Sequence, residues 1–415
     1  MRTSLAKQLE TTFSEYTQTS ALAEIASCSS RAKLILVDRH VQDLIAVPGR
    51  VDLSSHQAYK DGMLIFQEKA SCFPAALLDP ASLQGNIIDA CAAPGNKTTH
   101  LAALIATKAD QDVERRQIIA CEKDAARSLT LTKMVKLAGV DRSVQVKTSQ
   151  DFMRLDPTKY PKVQALLLDP SCSGSGIVGR DEATVVIHLP SREAAKDAPS
   201  KGRKRKRDDT GPVHVQLDTA SNEPAEEEMP EDVENDAAKL QTRLAKLSGF
   251  QLRLLERAMS FPAANRITYS TCSLHREENE HVVVKALLSD VAKNGGWRIL
   301  KRNEEVDGMR QWPLRGNLEA VATIARQQGS VLSDMNIEDV TEGCLRCEKG
   351  GEGGTMGFFV AGFVRDRACK LEDLDSRTKG TEPADSPANT VASTSVVDAG
   401  EDGDDEWYGF SDDER

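Results

Sequence analysis

The chain is poor in aromatic residues, 4% of 415, and it has no run of about 18 uncharged apolar residues of the kind a membrane-spanning helix needs. Met1 to Ser30 lacks the basic start and apolar core of a secretory signal. An intracellular protein with no membrane partner is therefore expected. Nine cysteines are scattered singly, apart from Cys344 and Cys347, and in a chain this long they do not make a disulfide framework. One Cys-x-x-Cys with no second pair falls short of the four ligands of a tetrahedral site, so no metal is expected. Two nucleotide signatures are missing as well. A P-loop needs Gly-Lys-Ser/Thr in succession with an earlier glycine at fixed spacing, but in Asp89 to Lys97 (DACAAPGNK) Asn96 separates Gly95 from Lys97. The three-glycine dinucleotide fingerprint is absent too, which disfavours a nicotinamide-dependent oxidoreductase.

The acidic excess is confined to two segments. Of the net −11, Ala368 to Arg415 carries −10 and Ser191 to Leu240 carries −4, which leaves the rest at +3. A slightly basic body is compatible with a phosphate backbone as partner. The charged insert at 191–239 contains Lys201 to Arg207 (KGRKRKR) and then an acidic tract. It cannot bury enough apolar surface to offset its ordering entropy, and disorder is expected there and in the tail 368–415. The basic run reads as a nuclear-import signal ahead of a solvated charge run. In the tail, Trp407, Tyr408 and Phe410 form a candidate docking motif.

What remains alternates between strand and helix. Asn86 to Ala90, Gln117 to Cys121, Val144 to Lys147 and Val163 to Asp169 read as strands, with helices over Thr98 to Ala106 and Ala125 to Ala138, the second stopped at Gly139. After the insert come a helix over Leu240 to Met259, a strand over Arg266 to Ser270, a helix over Arg276 to Leu288 and a last apolar strand, Gly357 to Val364. This series predicts an α/β fold with a mostly parallel sheet and helices on both faces. Upstream, Lys33 to Val47 contains an apolar stretch with strand character. Met63 to Phe66 reads as a short strand running into a helix that carries Gln67, Ser71 and Cys72, with Glu68 and Lys69 as cap or surface.

Chemistry gathers at the strand ends. Leu166 to Gly176 (LLLDPSCSGSG) is an aliphatic run cut off by Asp169 and Pro170, which then presents Cys172 on a loop of small residues. Ile267 to Glu280 (ITYSTCSLHREENE) repeats the design around Cys272. The commonest fate of a free cysteine is quiet burial, yet two at two strand ends of one sheet ask for a chemical explanation. In the first loop, Cys91, Ala92, Ala93, Pro94 and Gly95 form a tight turn that lets backbone approach a ligand. Glu122, past the second strand, sits where a carboxylate accepts both hydroxyls of a ribose, and Asp151, after the third, is placed for an adenine amino group. A nucleoside without pyrophosphate fits these parts better than NAD or ATP, and S-adenosyl-L-methionine is the candidate.

DACAAPGNKT, LLLDPSCSGSG and YSTCSLHREENE together resemble the motifs of the NSUN (Sun-type) RNA cytosine-C5 methyltransferases. Asn96 and the DPSCSGSG form are similar to the eukaryotic branch that acts on large-subunit ribosomal RNA. The resemblance covers about Val47 to Pro190 and Leu240 to Val364. It implies a class I S-adenosylmethionine-dependent (Rossmann-like) sheet of seven strands, one antiparallel, for which Gly357 to Val364 is the candidate. The domain plan is then a shortened N-terminal RNA-binding region at 1–55 and a methyltransferase domain at 56–190 and 240–367. It further implies that Cys91 to Lys97 (with Asn96) wrap the methionine part of the cofactor, that Glu122 holds the ribose where the family usually has Asp, that Arg127 is a further contact, and that Asp151 takes the adenine. Asp169 would lie beside both methyl donor and base. Cys272 would attack C6 of the cytosine, and Cys172 would promote release of the methylated base. RNA is the implied partner, with ribosomal RNA first and pre-ribosomal particles possible, in the nucleus and nucleolus. The alternatives are a non-catalytic RNA-binding ribosome-assembly factor and a transfer-RNA cytosine methyltransferase.

Overall fold

Among the described residues, seven strands in one row and a short eighth form one sheet whose centre is built from the most apolar segments of the chain. In the computed structural model, which describes residues 3–29, 32–49, 51, 53–107, 116–177, 231–328, 336–351 and 353–365, the seven are β1 (Asn86–Asp89), β2 (Ile118–Glu122), β3 (Val144–Thr148), β4 (Val163–Leu168), β5 (Arg266–Thr271), β6 (Cys344–Cys347) and β7 (Phe358–Arg365). Their spatial order is β6-β7-β5-β4-β1-β2-β3, and a short strand, Trp297–Ile299, also pairs with β7. The pairs β5/β4, β4/β1, β1/β2 and β2/β3 are parallel. Only β7 runs against its neighbours β5 and β6, as expected of Gly357 to Val364.

Side chains alternate between the two faces, so one apolar run supplies two cores. Ile88, Leu166 and Leu168 join the cluster on one face, while Ile87, Ala165 and Leu167 join that on the other. Local signals fix the helices. Asp124 accepts the Arg127 N–H to cap Ala125–Ala138, and Gly139 ends it in the left-handed region at φ 69°. Among the described residues no helix is long and apolar enough to cross a membrane.

Met1–Arg367 form one compact unit. A small sheet of Thr17–Thr19, Leu34–Val37 and Ile45–Ala46 precedes the main one, and Phe13, Ile35 and Leu53 share their apolar cluster with Leu64 and Phe66. The boundary expected at residue 55 thus falls inside a shared core. The same packing explains why Met63 to Phe66 is not a strand: Leu64 and Phe66 face the N-terminal cluster, and the segment has no ladder partner. Helix Lys69–Leu78 starts after Gln67, with Glu68 as its cap. Lys69 is not on the surface. It is 14% exposed and pairs with Asp38 at 2.6 Å.

Two further boundaries differ. The helix expected from Leu240 begins at Glu231, within the segment read as insert, and the helix expected from Arg276 begins at Glu280 after a turn. Lys201 to Arg207 and the tail motif lie outside the described residues.

Candidate active site

Strand order reverses between β1 and β4, which is the switch point where open α/β sheets bind ligands. The turn leaving β1 is shaped by Gly95, whose φ of 114° suits glycine and whose place a Cβ could take only at 3.0 Å from the Met134 side chain. Ala92 N–H donates to the Cys121 carbonyl at 2.9 Å, and Ala93 N–H to Glu122 Oε2 at 3.3 Å. Asn96 donates its amide to the Phe66 carbonyl at 2.6 Å, tying the turn to the segment that the N-terminal cluster anchors. A cavity of about 420 Å³ opens here, lined by Cys91, Ala92, Ala93, Pro94, Asn96, Lys97 and Asp169 from the expected set, and by Phe66, Gln67, Glu68 and Ser71. That volume and mixed lining suit a nucleoside-sized ligand with a charged end.

Four expected cofactor contacts do not line this cavity: Gly95, which shapes the turn, and Glu122, Arg127 and Asp151. Glu122 is buried beneath the turn, accepts the Asp124 N–H at 2.9 Å and lies 3.7 Å from Arg127. Arg127 donates to the Ala93 carbonyl at 3.0 Å, so both support the turn from below. Asp151 stands further along the sheet edge, accepting the Met153 N–H at 2.9 Å and lying 3.8 Å from Lys123.

Asp89 was not singled out in the sequence. It is fully buried at the end of β1, with Oδ2 accepting from Thr98 at 2.7 Å and Oδ1 without a hydrogen-bond partner. Burial pushes its carboxyl up to about 6, against the opposing pull of Thr98 and Lys97. A carboxyl raised in the folded state gives stability that is full below its unfolded value near 3.8 and is lost as pH rises through about 6. Wild type should therefore lose on the order of 3 kcal/mol between those pH values relative to Asp89→Asn, at about 1.4 kcal/mol per unit. Parallel stability curves for the two proteins from pH 4 to 7 would contradict this.

At the end of β4, Asp169 joins the two halves of the site. Its Oδ2 is 2.7 Å from Lys97 Nζ, and its Oδ1 accepts from Ser270 Oγ at 2.6 Å. Burial disfavours the Lys97 ammonium, but Asp169 more than offsets this and holds the amine above its ordinary range. Lys97 also donates to Ser71 Oγ at 2.9 Å. Two residues past Ser270, Cys272 lies with its sulfur 3.1 Å from that of Cys172. The hydrogen bond from Cys172 brings the Cys272 thiol below its usual range against the cost of burial, with Lys97 assisting. The same contact, burial and the charge of Glu278 push Cys172 upward. Cys272 is thus the more acidic of the two thiols and Cys172 the one that keeps its proton.

Gly176 closes the two cysteine loops on one another. Its N–H donates to the Cys272 carbonyl at 2.9 Å, and a Cβ there would sit 2.2 Å from the Gly357 carbonyl oxygen. Ser270, Gln251 and Glu278 leave no local trace as part of this assembly, because each reaches a residue far along the chain. Cys344 and Cys347 lie on β6 in different core clusters, on opposite faces of the sheet, and cannot share one ion.

A doubly wound sheet in this order, with a nucleoside-sized cavity at its switch point and no dinucleotide fingerprint, is the class I methyltransferase fold. Residues 75–193 match the family model described as 16S rRNA methyltransferase RsmB/F. The 25S rRNA (cytosine-C(5))-methyltransferase of Schizosaccharomyces pombe is 37% identical over 330 residues, 78% of this chain and 54% of that protein. The 28S rRNA (cytosine-C(5))-methyltransferase of Mus musculus is 34% identical over 283 residues, 68% of this chain and 46% of that one. A solved methyltransferase homolog protein from Pyrococcus horikoshii is 20% identical with a TM-score of 0.45, covering 76% of this chain and 72% of that chain. This chain belongs to the RsmB/F (NSUN) family. It spans about half the length of the two rRNA methyltransferases it matches.

Proposed function

We propose that the protein methylates C5 of a cytosine in large-subunit ribosomal RNA through a covalent cysteine adduct, with S-adenosylmethionine as cofactor. The observation that carries this reading is the cysteine pair at 3.1 Å beside the Lys97–Asp169 bridge. C5 of cytosine is a weak nucleophile, so a thiolate must first add at C6 and move electron density to C5. Cys272 Sγ would form the bond to C6, and the displaced electron pair would be delocalised over C5 and N3, near which Asp169 would hydrogen-bond, with the Lys97 ammonium 2.7 Å from it offsetting the developing charge. When bound, S-adenosylmethionine supplies an electrophilic methyl group. Loss of the C5 proton then returns the electron pair, the Sγ–C6 bond breaks, and Cys172 assists that departure. The target base must leave its stack, so the substrate is an RNA loop or a remodelled segment.

On the protein side, Cys91 to Lys97 and Asp169 would hold the cofactor, with Glu122 and Arg127 shaping the turn and Asp151 meeting the adenine. Ribosomal RNA is favoured over transfer RNA by the two rRNA-acting relatives. Pre-ribosomal particles are the corresponding partner, and Lys201 to Arg207 supports nuclear and nucleolar placement. The test is methyl incorporation from isotopically labelled S-adenosylmethionine into ribosomal and transfer RNA, read as 5-methylcytosine. Label in large-subunit RNA is expected. Label confined to transfer RNA would overturn the substrate, and none in either the activity. Glu122→Ala should weaken S-adenosylmethionine binding about tenfold to a hundredfold in calorimetric titration, the range for a charged hydrogen bond. Unchanged affinity would remove Glu122 from the cofactor site.

A further inference from the structure

The turn His275 to Asn279 touches both cysteine loops, and it does so through buried polar groups. Glu278 and Asn279 are each fully buried. The Glu278 carboxylate accepts the Ser173 N–H, at 2.9 Å to Oε1 and 3.2 Å to Oε2. It also accepts from Gln251 Nε2 at 3.0 Å, and that same amide nitrogen donates to the Ser171 carbonyl at 3.0 Å. The peptide is therefore held on both sides of Cys172, at Ser171 and at Ser173. Gln251 is itself fully buried on the helix Glu231–Met259. Tyr269 Oη, 2.5 Å from the Glu278 carbonyl and 3.2 Å from Gln251 Oε1, fixes the amide from β5.

The next residue does the same for the other loop. Asn279 Oδ1 accepts from Thr271 Oγ1 at 2.6 Å, and Asn279 Nδ2 donates to the Ser273 carbonyl at 2.9 Å, on either side of Cys272. Two consecutive residues of one turn thus hold the flanks of two sulfurs that lie 100 residues apart in the chain.

We propose that Glu278 and Gln251 are positioning residues for Cys172, and Asn279 for Cys272, so that this turn sets the spacing of the two sulfurs and separates attack from release. The inference rests on the covalent mechanism proposed above. None of the three needs to touch the base. A buried amide, carboxylate and carboxamide with their hydrogen bonds made are costly to disturb and hold one geometry, and a displacement near 1 Å is enough to cost a catalytic step about a hundredfold. The negative carboxylate beside Cys172 also disfavours a second thiolate, which keeps the proton on the releasing cysteine.

A merely structural role would lower every activity together, whereas a positioning role divides them. Each variant of the full chain is expressed in a eukaryotic host, and the fraction linked to host-cell RNA is read as a nuclease-sensitive slow band on a denaturing gel. Folding is checked by thermal melting and by S-adenosylmethionine titration. Glu278→Gln and Gln251→Met should raise the linked fraction at least tenfold over wild type, with Glu278→Gln milder than Glu278→Ala, and the band should vanish when Cys272→Ala is added. Asn279→Ala should do the opposite and reduce the band of a Cys172→Ala background at least tenfold. If Cys172→Ala gives a band while folded Glu278→Gln and Gln251→Met stay at the wild-type level, the positioning role is overturned and the covalent mechanism stands. If Cys172→Ala itself gives none, both fall.

Discussion

Cys272→Ala should reduce methyl transfer about a thousandfold or more, while leaving S-adenosylmethionine binding and the melting temperature near wild type. Removal of a covalent nucleophile takes away the step that creates reactivity at C5, and losses of that order or greater follow in enzymes that depend on one. The neighbouring sulfur does not take over. In the variant its contact with Cys272 is gone, but burial and the Glu278 carboxylate still push the Cys172 thiol upward, and thiol in place of thiolate is a poor nucleophile. Cys272 is half-buried and no large core side chain, so its loss opens little cavity. Equal activity of wild type and variant would remove Cys272 from the chemistry.

The second large effect is expected at Lys97. Its ammonium and the Asp169 carboxylate are 15% and 25% exposed at 2.7 Å, and deleting one partner of a largely buried pair costs about 3–5 kcal/mol because the other charge is left alone. Lys97→Met should therefore lower unfolding stability by that order and methyl transfer by at least a hundredfold. Activity and stability then part company in the double variant. Lys97→Met with Asp169→Asn removes both charges, keeps an acceptor for Ser270, and should recover most of the stability but none of the activity. Chemical denaturation and initial rates on the four members of the cycle give both answers. Full additivity of the stability losses would show that the two groups do not interact.

Where the chain announces its structure locally, the sequence was enough. Ala125–Ala138 is bounded by Asp124 and Gly139, and β4 by its aliphatic run and Pro170; the antiparallel last strand came with the family resemblance. Cys91 to Lys97 and Asp169 were placed at one sheet edge for the same reason, since parallel strands deliver their following loops to one side. Other features depend on partners distant in sequence. Lys69 is charged and follows a cap, which reads as surface, and only partners distant in sequence, Asp38 with His40 and the Trp312 ring, make its burial tolerable. Met63 to Phe66 has the composition of a strand but spends its side chains on the N-terminal cluster. Gln251 and Glu278 look like ordinary polar residues of a helix and an acidic turn, and nothing nearby reveals that both reach the Cys172 loop. Asp89 opens the DACAAPGNK turn, but its orphaned oxygen is a property of the packed interior.

The covalent mechanism is tested most directly by a denaturing gel of wild type, Cys172→Ala, Cys272→Ala and the double variant, each expressed with cellular RNA. A nuclease-sensitive shifted band is expected in Cys172→Ala and absent from Cys272→Ala and the double variant, which would establish attack by Cys272 and release by Cys172. No band in any of the four, from folded protein that binds S-adenosylmethionine, would contradict covalent catalysis and favour a non-catalytic RNA-binding role for this fold.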